Sequence, residues 1–511
     1  MKKTLNIIFS RMVVVGLSIL FQIGLIIAVI VKLSDYFVYF YGICVLISLL
    51  VVMHVVSKNE NPSYKLAWAI PILTFPVFGG LLYLISGKNK AGKKFVARLK
   101  QVVEQTIPYM QQDQKIVDEL EVQDKNIANQ ARYIKDYSTF PIYKNTTTKY
   151  LSPGESFYQV LLQELEKAEH FIFMEYFIIH EGKMWDTILQ ILERKAQQGV
   201  DVRVLYDDIG CVSTLPYKYD EILRAKGIKC SVFNPLAPAI NLIMNNRDHR
   251  KITVIDGHVG FMGGINLADE YINVIERFGH WKDAAIMLKG EAVWNLTIMF
   301  LQTWNFTRNN SDDYEKFRPK IYHTEPFETD GYVQPYGDSP LDHETVGENV
   351  YLNLLHKAKD YVYICTPYLV VDHEMVTALS LAAKSGVDVR IITPHIEDKW
   401  YVHILTRAYY EDLIKAGIKI YEYTPGFIHS KTFVSDDEVG VVGSINMDYR
   451  SLYLHFECGT WLYKTSTIFD IKEDFLKTQE ICTPISLEDC RNVKLTTRLL
   501  RYILRLFAPL L

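Results

Sequence analysis

One pattern, written twice at a fixed offset, limits this chain to a fold of two like halves. H-x-K-x4-D is spelled by His249, Lys251 and Asp256 and again by His429, Lys431 and Asp436. Each copy is followed by Gly-x-x-Asn, ending at Asn266 and at Asn446, and every corresponding position lies 180 residues from its counterpart. A single copy is expected by chance in roughly a few per cent of chains this long; two in register mark a duplication. Gly199-Val200-Asp201-Val202-Arg203 also recurs letter for letter as Gly386-Val387-Asp388-Val389-Arg390. The repeating unit is a domain half rather than a solenoid repeat.

Both halves share a coarse order. A helical pattern (157–168; 348–358) leads to an apolar strand (171–178; 361–366), and a second helix (185–198; 375–384) leads to a second strand (200–206; 387–392). A third helix ends near Gly227 or Gly417, ahead of the motif. Strands alternating with helices predict an α/β fold with parallel sheets covered on both faces. Between Lys and Asp the filling is apolar, Ile252-Thr253-Val254-Ile255 and Thr432-Phe433-Val434-Ser435. In a strand, side chains two apart share a face, so imidazole and ammonium stand side by side. A turn at Asp256-Gly257 or Asp436-Asp437 then predicts a hairpin whose second arm (259–262; 439–442) runs to Gly-x-x-Asn.

His and Lys in duplicate suit phosphodiester chemistry. One imidazole attacks phosphorus, another protonates the leaving oxygen, and lysines hold the anionic phosphoryl group. For Asp256 and Asp436 a structural reading competes, because an acid commonly opens a hairpin turn. His280, His395 and His403 lack metal-ligand spacing and read as ordinary polar residues. The seven cysteines are scattered without a CxxC, which predicts neither a zinc site nor a disulfide framework.

These motifs, together with Phe173-Met174-Glu175-Tyr176-Phe177, Tyr206-Asp207-Asp208-Ile209-Gly210, Thr366-Pro367-Tyr368 and the run from Gly443 to Ser451, resemble the phospholipase D superfamily and, within it, the bacterial cardiolipin synthases. The resemblance covers nearly the whole chain. It implies two α/β/α lobes sharing one active site, with a phosphohistidine formed on one of His249 and His429 and acid-then-base duty for the other. It implies no metal and no other cofactor. It assigns Lys251, Lys431, Asn266 and Asn446 to the phosphoryl oxygens and gives Asp256 and Asp436 a stabilising role. A downstream carboxylate is implied to orient each imidazole, Glu457 in the second copy and Asp283 in the first. The implied substrate is phosphatidylglycerol and the implied product cardiolipin. Hydrolysis, or transfer to another alcohol, is the alternative within the family.

The N-terminal region points to a lipid bilayer as partner. Residues 12–31 and 37–56 are two almost wholly apolar runs, each long enough to span. No small-x-small cleavage pattern follows the first, so it reads as an anchor rather than a signal peptide. Lys2, Lys3 and Arg11 precede the pair and Lys58 and Lys65 follow it, which predicts a hairpin with both ends cytoplasmic. A third apolar stretch, 66–85, holds Pro71, Pro76, Gly79 and Gly80 and reads as re-entrant or interfacial. The cluster Lys88, Lys90, Lys93, Lys94, Arg98 and Lys100 then faces either anionic lipid or solvent. Residues 236–243 form an apolar insertion before the first motif, suited to acyl chains or to a buried loop. At the C-terminus, 494–511 reads as an amphipathic helix with a basic face, for an anionic surface or for packing on the protein.

The domain organisation expected is a transmembrane hairpin (1–60), a membrane-proximal linker (61–130), two catalytic halves (131–320 and 321–485) and a basic tail (486–511). A net charge of −4 gives no general case for nucleic-acid binding. The function expected is that of a membrane-held phosphatidyltransferase.

Overall fold

The computed structural model describes residues 23, 24, 27, 28, 36–76, 79, 80, 83, 92–235, 245–342 and 344–510. It divides into two compact units, Met1–Lys88 and Asn89–Leu511. In the first, the helix Phe37–Ser57 contains a segment, Val38–Ser57, long and apolar enough to cross a bilayer. Ile43, Leu46, Leu50 and Met53 are exposed along it, an apolar surface of the kind that faces lipid in a spanning helix. The expected span 12–31 lies almost entirely outside the described residues.

A second helix, Pro62–Thr74, starts at Asn61, whose side chain accepts from the Ser63 N–H at 2.9 Å. Thirteen residues make about 20 Å, too short to cross. It folds back within the unit: Trp68 and Ile72 are buried, and Ser48 Oγ on the first helix donates to the Pro76 carbonyl at 2.7 Å. A Cβ on Gly79 would sit 2.4 Å from the Pro71 carbonyl, so the return path needs glycine there.

The second unit is built on two mixed sheets. In chain positions, the first runs Thr146–Leu151, Ala285–Gly290, Val259–Gly263, Lys251–Ile255, Phe171–Tyr176, Asp201–Asp207, Lys229–Phe233. The second runs Cys482–Ile485, Lys419–Tyr423, Asp388–Pro394, Tyr361–Cys365, Thr432–Ser435, Val439–Gly443, Glu457–Tyr463, Tyr332–Asp338. This corrects the expectation of parallel sheets. In each half only the strands reached through crossover helices are parallel, whereas the motif strand and its hairpin partner are antiparallel. The turn after Asp256 or Asp436 is too tight for any other arrangement.

The exact repeat has a local cause. Gly199 and Gly386 take φ of +92° and +101° between helix and strand, a conformation that strains any residue with a Cβ. Two residues on, Asp201 accepts from Arg203 Nη2 at 2.8 Å and Asp388 from Arg390 Nη2 at 2.5 Å, same-face pairs of one strand.

The two halves close around the helix Val293–Arg308, buried without interruption from Val293 to Phe306. Asn295 within it donates to the Pro141 and Pro335 carbonyls at 2.9 and 2.8 Å. The helix Lys93–Thr106 lies against it through Phe95, 4.6 Å ring to ring from Phe306, with Arg98 over the same ring at 5.2 Å. At least part of the basic cluster is therefore part of the catalytic unit.

The tail forms the helix Leu495–Phe507 and packs on the protein. Its arginines turn inward or along the surface, with Arg505 donating to Asp412 at 2.8 Å and Arg501 to the Cys490 carbonyl at 3.2 Å. Its exposed residues are both apolar and basic, Leu495, Leu499, Tyr502 and Ile503 together with Lys494, Arg498 and Arg505.

Candidate active site

Each motif strand is preceded by an extended segment that pairs with the other half. The His249 N–H donates to the Phe456 carbonyl at 2.9 Å, and the Phe456 N–H to the Arg247 carbonyl at 2.8 Å. In the second copy, Gly426–Ile428 runs parallel to His280–Lys282, and the His429 N–H donates to the Lys282 carbonyl at 2.7 Å. The residue following each partner is a carboxylate, Glu457 or Asp283. His249 Nδ1 therefore meets Glu457 Oε1 at 2.8 Å, and His429 Nδ1 meets Asp283 Oδ2 at 2.6 Å. The assignment of each carboxylate to the imidazole of its own half is thus corrected: the supports are crossed, because the backbone pairing is crossed.

A carboxylate can only accept, so each Nδ1 carries the proton and each Nε2 presents a lone pair. Burial, reinforced by the charges of Lys251 and Lys431, holds both imidazoles well below the ordinary histidine value. Burial likewise pushes Lys251 down to about 8 and Lys431 down to about 7. Each ammonium donates to the carbonyl of its own histidine, and Lys431 Nζ also comes within 2.8 Å of His429 Nδ1. Asp283 is pushed up by burial to about 6, against the pull of Lys431. An anionic phosphodiester entering here would offset the two lysine charges and raise the proton affinity of both imidazoles.

Asn266 and Asn446 are buried at the same end of their hairpins. Asn266 Oδ1 accepts from the Ile178 N–H at 3.0 Å and its amide donates to the Tyr271 hydroxyl at 2.8 Å. The Asn446 amide lies 3.4 Å from Asp448 Oδ2.

Asp256 and Asp436 are not at this centre, which corrects their inclusion in the catalytic set. Each stands five residues beyond its lysine, roughly 17 Å along an extended strand. Asp256 accepts from the N–H groups of Glu169, His170 and Phe171 at 2.8, 2.8 and 2.7 Å. Asp436 does the same for Lys359, Asp360 and Tyr361 at 2.8, 3.0 and 2.9 Å. They staple the start of the neighbouring strand, whose first N–H groups point out of the helix–strand corner.

Sequence reasoning missed three contributors. Aromatic rings wall the imidazoles: Phe177 lies 5.0 Å from His249, and Trp281, Tyr271 and Phe427 lie 5.2, 5.6 and 5.9 Å from His429. Ser444 Oγ donates to Glu457 Oε2 at 2.5 Å. His455 sits 5.4 Å ring to ring from His249, its Nδ1 3.7 Å from Glu457 Oε1, and burial pushes it down to about 4. The only available signal for His455 was its place two residues before Glu457. His249, His455 and Glu457 bring three potential metal donors within 4.8 Å of one another. Glu457 accepts from His249 Nδ1, whereas His455 Nδ1 stands buried beside the same carboxylate without a hydrogen-bond partner among the described residues. The insertion 236–243 lies outside the described residues.

Comparison with known proteins follows the same outline. The family model described as "Cardiolipin synthase, PLD-like domain" matches residues 161–289 and 351–478, and that described as "Phospholipase_D-nuclease N-terminal" matches 46–88. A protein of Streptococcus mutans serotype c, named only as uncharacterized, is 47% identical, covering 90% of this chain and 99% of its own length. Cardiolipin synthases of a Geobacillus strain and of Alkalihalophilus pseudofirmus are each 34% identical, covering 92% and 89% of this chain and 94% and 90% of theirs. The solved phosphatidylserine synthase of Haemophilus influenzae superposes with a TM-score of 0.55 at 13% identity, over 74% of this chain and 97% of that one, a likeness of fold. With two motif copies in one fold and relatives matched almost end to end, this chain belongs to the cardiolipin synthase family of the phospholipase D superfamily and is a phosphatidyltransferase of that superfamily.

Proposed function

We propose that the protein joins two phosphatidylglycerols into cardiolipin with release of glycerol, through a phosphohistidine. The observation that carries this reading is the pair of imidazoles in one buried site, each with Nδ1 held by a carboxylate of the other half. His249 Nε2 attacks the phosphorus of the first lipid. Once the lipid phosphate offsets the lysine charges, His429 enters as an imidazolium protonated at Nε2 as well as Nδ1; the phosphorus–oxygen bond to the head-group glycerol breaks, and that oxygen takes the Nε2 proton of His429. His429 then takes the proton of a hydroxyl on the second phosphatidylglycerol, whose oxygen attacks the same phosphorus and displaces His249. Lys251 and Lys431 hold the phosphoryl oxygens throughout, with Asn266 and Asn446 beside them.

The roles follow from what surrounds each Nδ1. That of His249 meets a single carboxylate, itself held by Ser444, which fixes the tautomer a nucleophile needs. That of His429 lies between Asp283 and Lys431, groups pushed to about 6 and about 7, a setting suited to moving protons near neutrality.

The enzyme works on a bilayer that holds both lipids, anchored by the N-terminal hairpin with its catalytic unit on the cytoplasmic face. Support comes from the apolar segment Val38–Ser57 and the flanking lysines. Water is the competing acceptor, and a partly dry, aromatic-walled site disfavours it. The test is to incubate purified protein with labelled phosphatidylglycerol in liposomes. Cardiolipin and glycerol are expected; phosphatidic acid as the main product would reassign the chain to hydrolysis.

A further inference from the structure

A transfer between two phosphatidylglycerols brings two phosphodiesters together, and only one of them reacts. The acceptor's own phosphate keeps its negative charge through every step and ends one glycerol unit from the reacting phosphorus. Lys251 and Lys431 are committed to the reacting phosphoryl group and are buried beside the imidazoles. A second cation is required at the edge of the site.

Lys399 occupies that edge. It precedes the helix Trp400–Lys415 and is exposed. Its ammonium lies 5.4 Å from the ring centroid of Tyr368. Tyr368 lies 6.4 Å from Phe427, and Phe427 stacks 5.9 Å from His429, so a continuous aromatic floor leads from the cation to that imidazole. The adjacent Asp398 is taken up by the Tyr368 hydroxyl at 2.5 Å. Among the described residues Lys399 has no ion-pair partner within 4 Å. Its charge is felt at His249, His429 and the half-buried Asp448. The first half offers no counterpart: after its strand Asp201–Asp207 the chain runs Asp208-Ile209-Gly210-Cys211, with no lysine or arginine before Lys218. The cation therefore stands only on the side of His429, the group assigned to deprotonate the acceptor.

We propose that Lys399 forms the acceptor-lipid subsite, its ammonium receiving the unreacting phosphate of the second phosphatidylglycerol so that the terminal hydroxyl of that lipid reaches His429. The inference rests on the reading of phosphatidylglycerol as acceptor. It makes the choice between lipid and water a matter of one charge outside the catalytic set.

The test uses the full-length protein in liposomes of phosphatidylglycerol and phosphatidylcholine, with cardiolipin and phosphatidic acid measured together as the phosphatidylglycerol fraction is varied. Lys399→Gln is expected to lower the ratio of cardiolipin to phosphatidic acid by about tenfold, the loss of one charge-assisted contact. The loss should be greatest at low phosphatidylglycerol fraction and shrink as the surface saturates, and Lys399→Arg should restore most of the ratio. An unchanged ratio in Lys399→Gln, whether both products hold or both fall together, overturns the proposal. A wild-type protein that makes no cardiolipin would instead remove the parent reading, before any variant is tested.

Discussion

The two halves bring the same imidazole and lysine to one centre but support them with different parts. Glu457, which holds His249, is gripped from behind by Ser444 at 2.5 Å. The residue 180 positions earlier is Gly264, where a Cβ would come 2.2 Å from Asp283 Oδ1. The longer carboxylate thus has a hydroxyl behind it, and the shorter one is held by backbone, the Ala284 N–H donating to Asp283 Oδ1 at 2.7 Å. A second contrast lies beneath the motif strands. Between His249 and Lys251, Arg250 points to the other face and binds Asp248 and Glu175, both at 2.9 Å; the second copy has Ser430 there. Duplication therefore supplied two identical acid–base groups, and later divergence around them made one rigid and the other poised between protonation states. In the proposed mechanism that difference suits one imidazole to be the nucleophile and the other the proton carrier.

The comparison breaks most sharply at the histidines. His249→Ala and His429→Ala should each lower turnover by about 10⁴-fold or more, with the double variant hardly worse, because groups acting as a unit are not additive. The halves separate when the leaving group needs no proton. With a p-nitrophenyl phosphatidyl ester, His429→Ala should still trap phosphate on His249, whereas His249→Ala should trap none. Phosphate found on His429 by peptide mass spectrometry would reverse the roles.

The carboxylates come next. Glu457→Gln and Asp283→Asn should each cost roughly a hundredfold or more in turnover by misplacing the Nδ1 proton. Their pH behaviour should differ. Asp283, pushed up to about 6, supports His429 only when ionised, so kcat/KM falls below that pH; Lys431 and Lys251, at about 7 and 8, lose their charge as pH rises, so kcat/KM falls again above that range. Bound anionic lipid favours the charged lysines and should move the alkaline limb of kcat upward. Asp283→Asn should abolish the acid limb near 6, whereas Glu457→Gln should keep it. An acid limb that survives Asp283→Asn would show that another group sets it.

Ser444 gives a smaller test of the same contrast. Ser444→Ala removes a buried hydrogen bond to a carboxylate, worth about 1–2 kcal/mol, and should slow turnover about tenfold. Gly264→Ser, the exchange in the other direction, should be worse, since its Cβ alone collides with Asp283. Equal, small effects from both would mean that the second layer is interchangeable after all.

The duplication, the hairpin and the side-by-side placement of His and Lys were legible because each depends on local periodicity. The crossing was not. It depends on backbone pairing between His249 and Phe456 and between His429 and Lys282, contacts across two halves that no local pattern encodes. For the same reason sequence could place Asp283 and Glu457 near the chemistry while attaching them to the wrong imidazoles. Asp256 and Asp436 misled differently: the motif counts them with His and Lys, but strand rise carries them to the far end of the sheet. The tail shows a third limit, since helical spacing revealed two faces and not which of them Arg501 and Arg505 would turn toward the protein.

The smallest effect on turnover is expected at those two aspartates, and here the halves should differ in stability instead. Asp256 is 5% exposed and satisfies three N–H groups of the opening Phe171–Tyr176 strand. Asn keeps one acceptor oxygen but turns an amide donor toward groups that are donors themselves. Asp256→Asn should therefore cost about 1–3 kcal/mol. Asp436 makes the same three contacts nearer to water, so Asp436→Asn should cost less, about 1 kcal/mol. Urea midpoints of the detergent-solubilised protein would rank the two, and turnover per folded molecule should stay within about twofold of the parent in both, because neither carboxylate reaches the imidazoles. A hundredfold loss of turnover with an unmoved midpoint would return these residues to the catalytic set and show that the end of the strand communicates with its head.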